Sequence, residues 1–314
     1  MRETADRTDL PVGRGDALAD PVAEGLEQRA AAVLRDLRSA CVALSGGVDS
    51  SVVLTLAVRT LGKDSVTAFT AASATTPDAE LAAARELAAE LGVEHVVVET
   101  NELDDERFAS NPRERCYVCK RHLLDEMDAA AQARRRAALV DGANVDDLGD
   151  ERPGLRAAAE RGVRHPLVEA GLRKADVRHL AQALGLTVWD APSQACLASR
   201  IPYGERITGE KLRRIGAAED VLRELGFRQC RVRLHGDVAR LEVEPDQIGR
   251  AAGAARAEIA RRLRALGFVY VALDLGGFRS GSMNEAPRGA SDPASAGAPP
   301  GTADAPSGVG AVVP

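Results

Sequence analysis

Residues 45–51 of the chain, SGGVDSS, combine small and polar side chains in a pattern that suits phosphate binding. They follow CVAL at 41–44, an apolar run that predicts a buried strand, and lead into SVVLTLAVRT at 51–60, which predicts a helix. Gly46 and Gly47 allow a ligand to approach the backbone closely, and the amides at a helix N-terminus favour an anion. The segment therefore predicts a phosphate site where the first strand ends.

The other side chains of this segment add hydroxyl groups and one carboxylate. Ser45, Ser50 and Ser51 offer donors for phosphate oxygens, and Asp49 stands among them. A plain strand-to-helix turn with a Ser or Asp cap would account for one glycine and one serine, but not for the two glycines, three serines and aspartate found here. The sequence has no G-x-x-x-x-G-K-[ST] motif, so the loop is not of the Walker A type.

Cys116 and Cys119 stand at C-x-x-C spacing and form a second candidate site. The first residues of the chain are charged and hold no apolar segment typical of a secretory signal, so we expect a cytoplasmic protein. In reducing surroundings a close cysteine pair more often binds a metal or takes part in catalysis than forms a disulfide. The spacing alone leaves a metal-ligand pair, a redox pair and two buried thiols open.

Cys196 lies in the segment ACLASR, between two prolines, where the sequence shows no strong hydrophobic period. This composition predicts a loop, and loop residues more often carry function than core packing. A small buried thiol is the alternative. We adopt that second interpretation for Cys41, in the strand before the glycine loop, and for Cys230, in the second part of the chain.

Strand and helix patterns alternate through the first part of the chain, where the run DAELAAARELAAELG at 78–92 is a clear helix pattern. This alternation predicts an α/β fold, a parallel sheet with helices on both faces, over residues 25–192. The predicted strands are at 41–44, 66–71, 95–98 and 138–142.

The pattern changes after about residue 192, and residues 193–284 are predicted to form a smaller α+β domain. The predicted elements of this second domain are helices at 207–227 and 245–267 and strands at 230–236, 239–244 and 268–275.

Composition narrows the functional classes. The chain of 314 residues has a formal net charge of −6 and a pI near 5.6, which argues against a basic nucleic-acid-binding surface. No apolar run approaches the roughly 20 residues that span a bilayer, so we expect no membrane partner. The polar lead at 1–24 and the Ala-, Pro- and Gly-rich tail at 285–314 hold too little apolar surface to fold, and we expect both to be disordered.

The loop SGGVDSS resembles the PP-loop of the ATP pyrophosphatases, and DGANVDDLGDERPG at 141–154 resembles their loop after the fourth strand. The resemblance implies that ATP, with Mg²⁺, is cleaved between its α and β phosphates and that Asp49 takes part in catalysis. Without it, Lys174 would be interpreted as part of a solvated helix face. The residues that the resemblance places at the nucleotide are Ser45, Gly46, Gly47, Asp49, Ser50, Ser51, Ala72, Gly142, Asn144 and Lys174.

Motifs further along the chain resemble a narrower group. CYVCK, ACLASRIPYG, RVRLHG and DLGGFRSGSMN, together with SGGVDSS, are similar to the LarE family of ATP-dependent sulfur transferases over residues 28–285. The resemblance implies that the substrate is pyridinium-3,5-biscarboxylic acid mononucleotide, a precursor of the nickel-pincer nucleotide cofactor. Each carboxylate would be adenylated and then converted to a thiocarboxylate.

The same resemblance implies two sulfur sources. In one branch of the family the cysteine at the position of Cys196 gives up its own sulfur and becomes dehydroalanine. In the other branch it joins a C-x-x-C pair, here Cys116 and Cys119, to hold a 4Fe-4S cluster with one open iron. This chain has all three cysteines, which favours the cluster, while the sacrificial route, a zinc site and a redox pair stay as alternatives.

Substrate ligands are predicted in the second domain. Arg231 and Arg233 alternate on a predicted strand and so face the same side, and their guanidinium groups suit phosphate and carboxylate. A solvated strand face is the alternative. The full predicted set is Ser199, Arg200, Arg231, Arg233 and Glu242.

Two other functions compete with this assignment. Some PP-loop enzymes that thiolate tRNA also use a three-cysteine cluster, but the acidic net charge and the lack of further C-x-x-C pairs argue against a tRNA partner. A non-catalytic sensor of adenine nucleotides would leave the Ser and Asp side chains of the loop and the three cysteines without a role. The family resemblance also leads us to expect a homo-oligomer.

Overall fold

A computed structural model describes residues 20–149, 153–192 and 195–279 of the chain. The helices are α1 Pro21–Arg35, α2 Val48–Leu61, α3 Asp78–Glu90, α4 Glu106–Ala109, α5 Arg115–Ala133, α6 Pro153–Glu160, α7 Pro166–Glu169, α8 Lys174–Ala183, α9 Gly209–Glu224, α10 Ile248–Ala252 and α11 Arg256–Ala265. The strands are β1 Ala40–Ala43, β2 Val66–Ala72, β3 Glu94–Glu99, β4 Ala138–Val140, β5 Cys230–His235, β6 Val238–Val243 and β7 Tyr270–Leu273.

The first sheet has the strand order β3-β2-β1-β4, and its neighbouring strands are all parallel. Its central strands are buried because α1, α2 and α8 contribute to a core on one face while α5 and α6 contribute to a core on the other. This explains why the strands appear in the sequence as short apolar runs without alternation. The predicted α/β fold with a parallel sheet is confirmed.

The parallel arrangement places the carboxyl ends of all four strands at one edge of the sheet. The loop after β1 and the loop after β4 are neighbours at that edge, because the two strands pair directly. Ligands of open α/β sheets bind at this edge, so the strand order itself brings the two predicted nucleotide loops together.

The second sheet has the order β5-β6-β7, in which β5 and β6 pair antiparallel and β6 and β7 pair parallel. Side chains from α9, α11 and the first two of these strands form a separate apolar core. The predicted α+β character of this part agrees with the structure. The described residues nevertheless fall into a single compact unit by their contacts, so the boundary at residues 192 and 193 stays a prediction.

Two predicted elements differ from the structure. The helix predicted at 245–267 is divided into a 3-10 turn at Pro245–Gln247, then α10 and α11, because Gly253 has φ −104° and ψ −101°, outside the helical region. At the other end, the predicted lead at 1–24 overlaps α1, which begins at Pro21 because the Asp20 carboxylate accepts from the amides of its first turn. The rest of the lead and the predicted tail at 285–314 lie outside the described residues.

Among the helices of the described ranges, none combines the length and the apolar composition needed to cross a bilayer.

Candidate active site

The turn after β1 depends on the backbone freedom of glycine. Gly46 has φ +81°, and a Cβ at this position would lie 2.1 Å from the carbonyl oxygen of Glu80. Only glycine satisfies both conditions without moving the backbone of α3. The positive φ that glycine permits is thus present at Gly46, and the group that approaches closely is the backbone of Glu80. Close approach of a ligand stays a prediction.

Hydroxyl groups close the mouth of this loop. The Ser45 amide donates to Ser50 Oγ at 3.2 Å, and the two hydroxyl oxygens are 3.1 Å apart. The Gly47 amide donates to Ser45 Oγ at 3.3 Å. The α2 helix begins at Val48 with no side-chain cap, so its first amides remain available to an anion at the end where the helix dipole is positive.

Asp49, in the first turn of α2, is held from two directions. Its carboxylate accepts from Asn144 Nδ2 at 3.3 Å and from the ammonium group of Lys174, the first residue of α8. The Lys174 amide in turn donates to Asp146 at 2.9 Å. The predicted nucleotide residues Asp49, Asn144 and Lys174 thus form one connected group, although 125 residues separate the first from the last.

The loop after β4 forms the opposite wall. A Cβ on Gly142 would lie 2.7 Å from the Ser50 amide nitrogen, so this glycine allows the wall to approach the start of α2. Next to it, the buried Asp141 accepts from Lys120 at 2.9 Å and shares a hydrogen bond with His165 at 2.6 Å. Burial would raise the pKa of Asp141, but Lys120 and His165 hold it well below its usual range.

A cavity of about 590 Å³ lies between these walls. Its volume falls within the range of small-ligand sites. Of the predicted nucleotide and catalytic residues, those that line it are Ser45, Gly46, Gly47, Asp49, Ser50, Gly142, Lys174 and Cys196. The other three predicted residues do not line the cavity. Ser51 is buried in α2, and Ala72 follows Ala71, which does line the cavity. Asn144 donates a hydrogen bond to the cavity residue Asp49.

Cys196 joins this cavity from the second part of the chain. Its side chain is exposed to the cavity, and the neighbouring Leu197 amide donates to the Thr75 carbonyl at 3.1 Å. Burial among surrounding atoms raises the pKa of the Cys196 thiol, while hydrogen bonds from the Thr75 hydroxyl and the Ala198 amide oppose that rise. Cys41 and Cys230 are buried core thiols, as predicted.

The three predicted sulfur ligands lie in one neighbourhood. Cys116 and Cys119 stand at the start of α5, the first exposed and the second half-buried. Burial raises the pKa of the Cys119 thiol, and interaction with Cys196 and Cys116 raises it further. Cys119 therefore interacts electrostatically with both other thiols.

We tested whether these thiols fit a metal group. Within the described ranges, no three His, Cys, Asp or Glu side chains are arranged around a position for a single ion. Ligands of a 4Fe-4S cluster bind different irons, so they need not converge on one point. The residue types and their shared neighbourhood are compatible with a cluster.

The residues predicted to bind the substrate lie outside the lining of the cavity. They form a buried network behind the cavity wall and do not line it. Arg200 donates to both carboxylate oxygens of Glu219 at 2.8 and 3.0 Å, and both side chains are 0% exposed. Arg233 donates to Glu242 at 2.9 Å, and the Arg231 guanidinium lies 5.1 Å from the ring centre of Phe278.

Arg200 also acts on the Cys196 segment. Its Nη1 donates to the carbonyl oxygens of Ala195 and Cys196 and to Ser199 Oγ, the last at 2.9 Å. A buried guanidinium that holds these carbonyls fixes the backbone on which Cys196 stands. The geometry gives Arg200 and Ser199 a place in support of the cysteine loop, and direct contact with substrate stays a prediction.

Among the cavity residues that were not predicted as site residues are Thr75, Glu80, Lys120 and Asp141. Lys120 directly follows Cys119 in the sequence. Asp141 directly follows β4, and its position after a strand was the signal that could have predicted it as a site residue. Glu80 gave no signal, because it stands within a helix of ordinary composition. Its burial raises its pKa to about 7, against the opposing influence of Arg200 and Arg231.

A parallel sheet whose first strand ends in this glycine and serine loop, with the helix N-terminus behind it, defines the PP-loop class of ATP-using enzymes. Comparison with known proteins agrees. Residues 22–130 match the asparagine synthase family.

Relatives cover most of the described chain. An uncharacterised protein of Synechocystis sp. is 45% identical over 250 residues, 79% of this chain and 93% of the relative. The pyridinium-3,5-bisthiocarboxylic acid mononucleotide synthase of Lactiplantibacillus plantarum is 42% identical over 254 residues, 81% of this chain and 92% of the relative. An uncharacterised protein of Methanocaldococcus jannaschii is 30% identical over 175 residues, 56% and 68% of the two chains. The chain belongs to the LarE family of PP-loop ATP pyrophosphatases.

Proposed function

We propose that the protein uses ATP to activate the carboxylates of pyridinium-3,5-biscarboxylic acid mononucleotide and replaces one oxygen of each by sulfur. The observation that carries this proposal is that Cys196 and the phosphate loop line one cavity. An acyl adenylate formed at the loop would therefore be within the same enclosed space as the thiol. The 42% identical relative, whose name gives a bisthiocarboxylic acid mononucleotide as its product, supports the choice of substrate.

The first step is adenylation. A substrate carboxylate oxygen attacks the α-phosphorus of ATP, the bond to the β-phosphate breaks, and pyrophosphate leaves. The amides at the start of α2 would donate hydrogen bonds to the phosphate oxygens, and the Lys174 ammonium group, which lines the cavity, would offset their charge. Asp49 orients Lys174 through their ion pair and is also available to bind the Mg²⁺ that accompanies ATP.

The second step transfers sulfur. A carboxylate is a poor electrophile, whereas its adenylate has AMP as a leaving group. If Cys196 is itself the donor, its sulfur attacks the acyl carbon, the thiol proton is lost to solvent and AMP departs. Loss of the Cys196 α-proton and cleavage of its Cβ–S bond then leave a thiocarboxylate on the substrate and dehydroalanine in the chain.

The presence of three cysteines favours the second route, in which the sulfur source is reused and Cys196 is not consumed. Cys116, Cys119 and Cys196 would hold the 4Fe-4S cluster, which when bound would supply an iron that carries hydrosulfide. The chain's own contribution is to keep the three thiols in one neighbourhood beside the cavity. Burial raises the pKa of the Cys196 thiol, and the Thr75 hydroxyl and Arg115 only partly oppose that rise. Either sulfur source therefore needs the thiol proton to be removed when the sulfur reacts or binds.

Anaerobic purification followed by a single turnover tests the proposal. With Mg-ATP and the pyridinium mononucleotide, we expect pyrophosphate release and a product in which sulfur replaces one oxygen. Intact mass then separates the two routes, because loss of sulfur from Cys196 marks the sacrificial route and an unchanged chain with bound iron marks the cluster. Pyrophosphate release that requires tRNA instead of the pyridinium compound would refute the proposed substrate.

A further inference from the structure

A short segment before α5 makes an unusual set of contacts. Asn111 lies between α4 and α5, is 0% exposed and has φ +59°. Its Nδ2 donates to the carbonyl oxygens of Ile201, Pro202 and Glu205 at 3.3, 2.7 and 3.0 Å. One amide group therefore satisfies three backbone carbonyls of the loop that comes after Cys196.

The orientation of this amide is fixed by a second contact. Arg115, buried at the start of α5, donates from Nη1 to Asn111 Oδ1 at 2.9 Å. Because a guanidinium can only donate, the amide oxygen must face Arg115 and the NH₂ group must face the three carbonyls. Asparagine also adopts the left-handed backbone conformation more readily than most other non-glycine residues, which explains why this residue type stands here.

Further contacts join the same two segments. The Gly204 amide donates to the Asn111 carbonyl at 2.9 Å, and the Ile207 amide donates to the Ala109 carbonyl at 2.8 Å. The Arg115 guanidinium lies 4.4 Å from the ring centre of Tyr203, within the range of a cation–π contact. Residues 109–115 and 201–207 are thus connected by backbone, amide and aromatic contacts.

These two segments lead directly to the cysteines. Arg115 precedes Cys116 and opens the helix that also carries Cys119, while Ile201 lies five residues after Cys196. Asn111 therefore links the segment that leads into the helix of the C-x-x-C pair to the loop that follows the third cysteine. It does not line the cavity.

We infer that Asn111 is a positioning residue that holds the loop of Cys196 beside Cys116 and Cys119, so that the three thiols stay in one neighbourhood and can bind soft metals together. The inference rests on the proposed function, since only a shared role of the three thiols requires such a link. Removal of the link should separate the thiols while the glycine loop after β1 and the start of α2 stay in place.

Cadmium binding by the full-length, reduced protein tests the inference without turnover. Cd²⁺ is titrated while the sulfur-to-metal charge-transfer absorption is followed in wild type, Asn111→Gly and Cys196→Ala. Glycine keeps the left-handed backbone and removes only the amide. Ser110→Ala is the matched control, because its hydroxyl donates to Glu106 within α4 and not to the cysteine loop.

We expect Asn111→Gly to weaken Cd²⁺ binding about 10–100-fold, the range found when residues that orient metal ligands are removed. Ser110→Ala should bind as wild type does, and Mg-ATP should raise the melting temperature of all variants equally. If Asn111→Gly does not fold, Arg115→Lys removes the planar contact to Asn111 while keeping the charge, and a smaller loss in the same direction is expected.

The outcomes separate the inference from the proposed function. Wild type that binds Cd²⁺ no better than Cys196→Ala would overturn the shared thiol site and the inference with it. Wild type that binds better than Cys196→Ala, with Asn111→Gly equal to wild type, would overturn the inference alone. Equal losses of Cd²⁺ binding and of the Mg-ATP thermal shift in Asn111→Gly would show a general structural role and would also overturn it.

Discussion

The ATP cavity and the charged network of the second sheet use similar residues in opposite ways. At the cavity, Lys174 pairs with Asp49 but both side chains keep part of their surface open, at 33% and 24% exposure. In the network, Arg200 and Glu219 are fully buried and satisfy each other. The first arrangement leaves charge available to a ligand, whereas the second uses its charge to hold the protein together.

The difference in exposure between the two ion pairs distinguishes a pair that can bind a ligand from a pair that supports the fold. A half-open ion pair can exchange its partner for a phosphate at small cost, because water already solvates part of each group. A fully buried pair cannot lose one partner without leaving an unsolvated charge. The network therefore holds the cysteine loop in place, and we propose that the chemistry takes place in the cavity.

The largest effect on stability should come from the network. In Glu219→Leu, Arg200 keeps its charge but loses its buried partner, and we expect unfolding to become easier by about 3–5 kcal/mol. Chemical denaturation measures this. Glu224 lies on α9, as Glu219 does, and forms an exposed ion pair with Arg262 of α11, so Glu224→Leu should cost less than about 1 kcal/mol. Equal costs for the two variants would contradict the distinction between the regions.

A substitution at the cavity should lower the rate of pyrophosphate release and leave the stability of the protein nearly unchanged. Lys174→Met removes a cation from the phosphate site, and we expect the rate of pyrophosphate release to fall by about 10²–10³-fold. The melting temperature should stay close to that of wild type, since the side chain is one-third exposed. Lys211→Met is a matched control, because this half-buried lysine pairs with Glu205 away from the cavity. A variant at Lys174 with full activity would show that the lysine does not reach the phosphates.

A smaller effect should come from the close approach between the walls of the cavity. Gly142→Ala would place a methyl group 2.7 Å from the Ser50 amide nitrogen, so the loop after β4 must move away from α2. We expect a stability loss of about 1–3 kcal/mol and weaker ATP binding, both measurable by thermal shift with and without Mg-ATP. Gly149→Ala is the control and should behave as wild type, because a methyl group there would meet no atom of the described residues within 4 Å.

The smallest effect concerns Glu80, which lines the cavity and also interacts with the arginines of the network. Burial raises its pKa from 4.5 to about 7, although Arg200, Arg231 and Arg223 oppose that rise. The folded state therefore binds a proton that the unfolded state has released, and wild-type stability should fall as pH rises from about 4.5 to 7.

Glu80→Gln should remove this pH dependence and be more stable than wild type by about 1–2 kcal/mol above pH 7, with allowance for solvent screening. Denaturation curves at a series of pH values measure the slope. A slope in Glu80→Gln equal to that of wild type would assign the titration to another group.

The sequence allowed the nucleotide half of the site to be predicted because its signals are local. A buried strand, two glycines and a helix start come one after another within residues 40–51, and their geometry requires little from the rest of the chain. The contact between Asp49 and Lys174 was different, since it joins residues far apart and was expected only through family resemblance.

The network shows why the remainder could not be predicted. Alternation correctly placed Arg231 and Arg233 on one face of β5, but a period of two cannot say whether that face meets solvent, substrate or core. The answer depends on Glu219 from α9, a buried acidic residue with no sequence signal of its own. The contacts of Asn111 could not be predicted for the same reason, because its three carbonyl partners lie about 90 residues away in the sequence.

The central claim, that one cavity both activates the carboxylate and receives sulfur at Cys196, is tested most directly by Cys196→Ser in a single turnover. With Mg-ATP and the pyridinium mononucleotide, this variant should still release pyrophosphate, and mass analysis of the product should find no sulfur. A product that gains sulfur as it does with wild type would contradict the account.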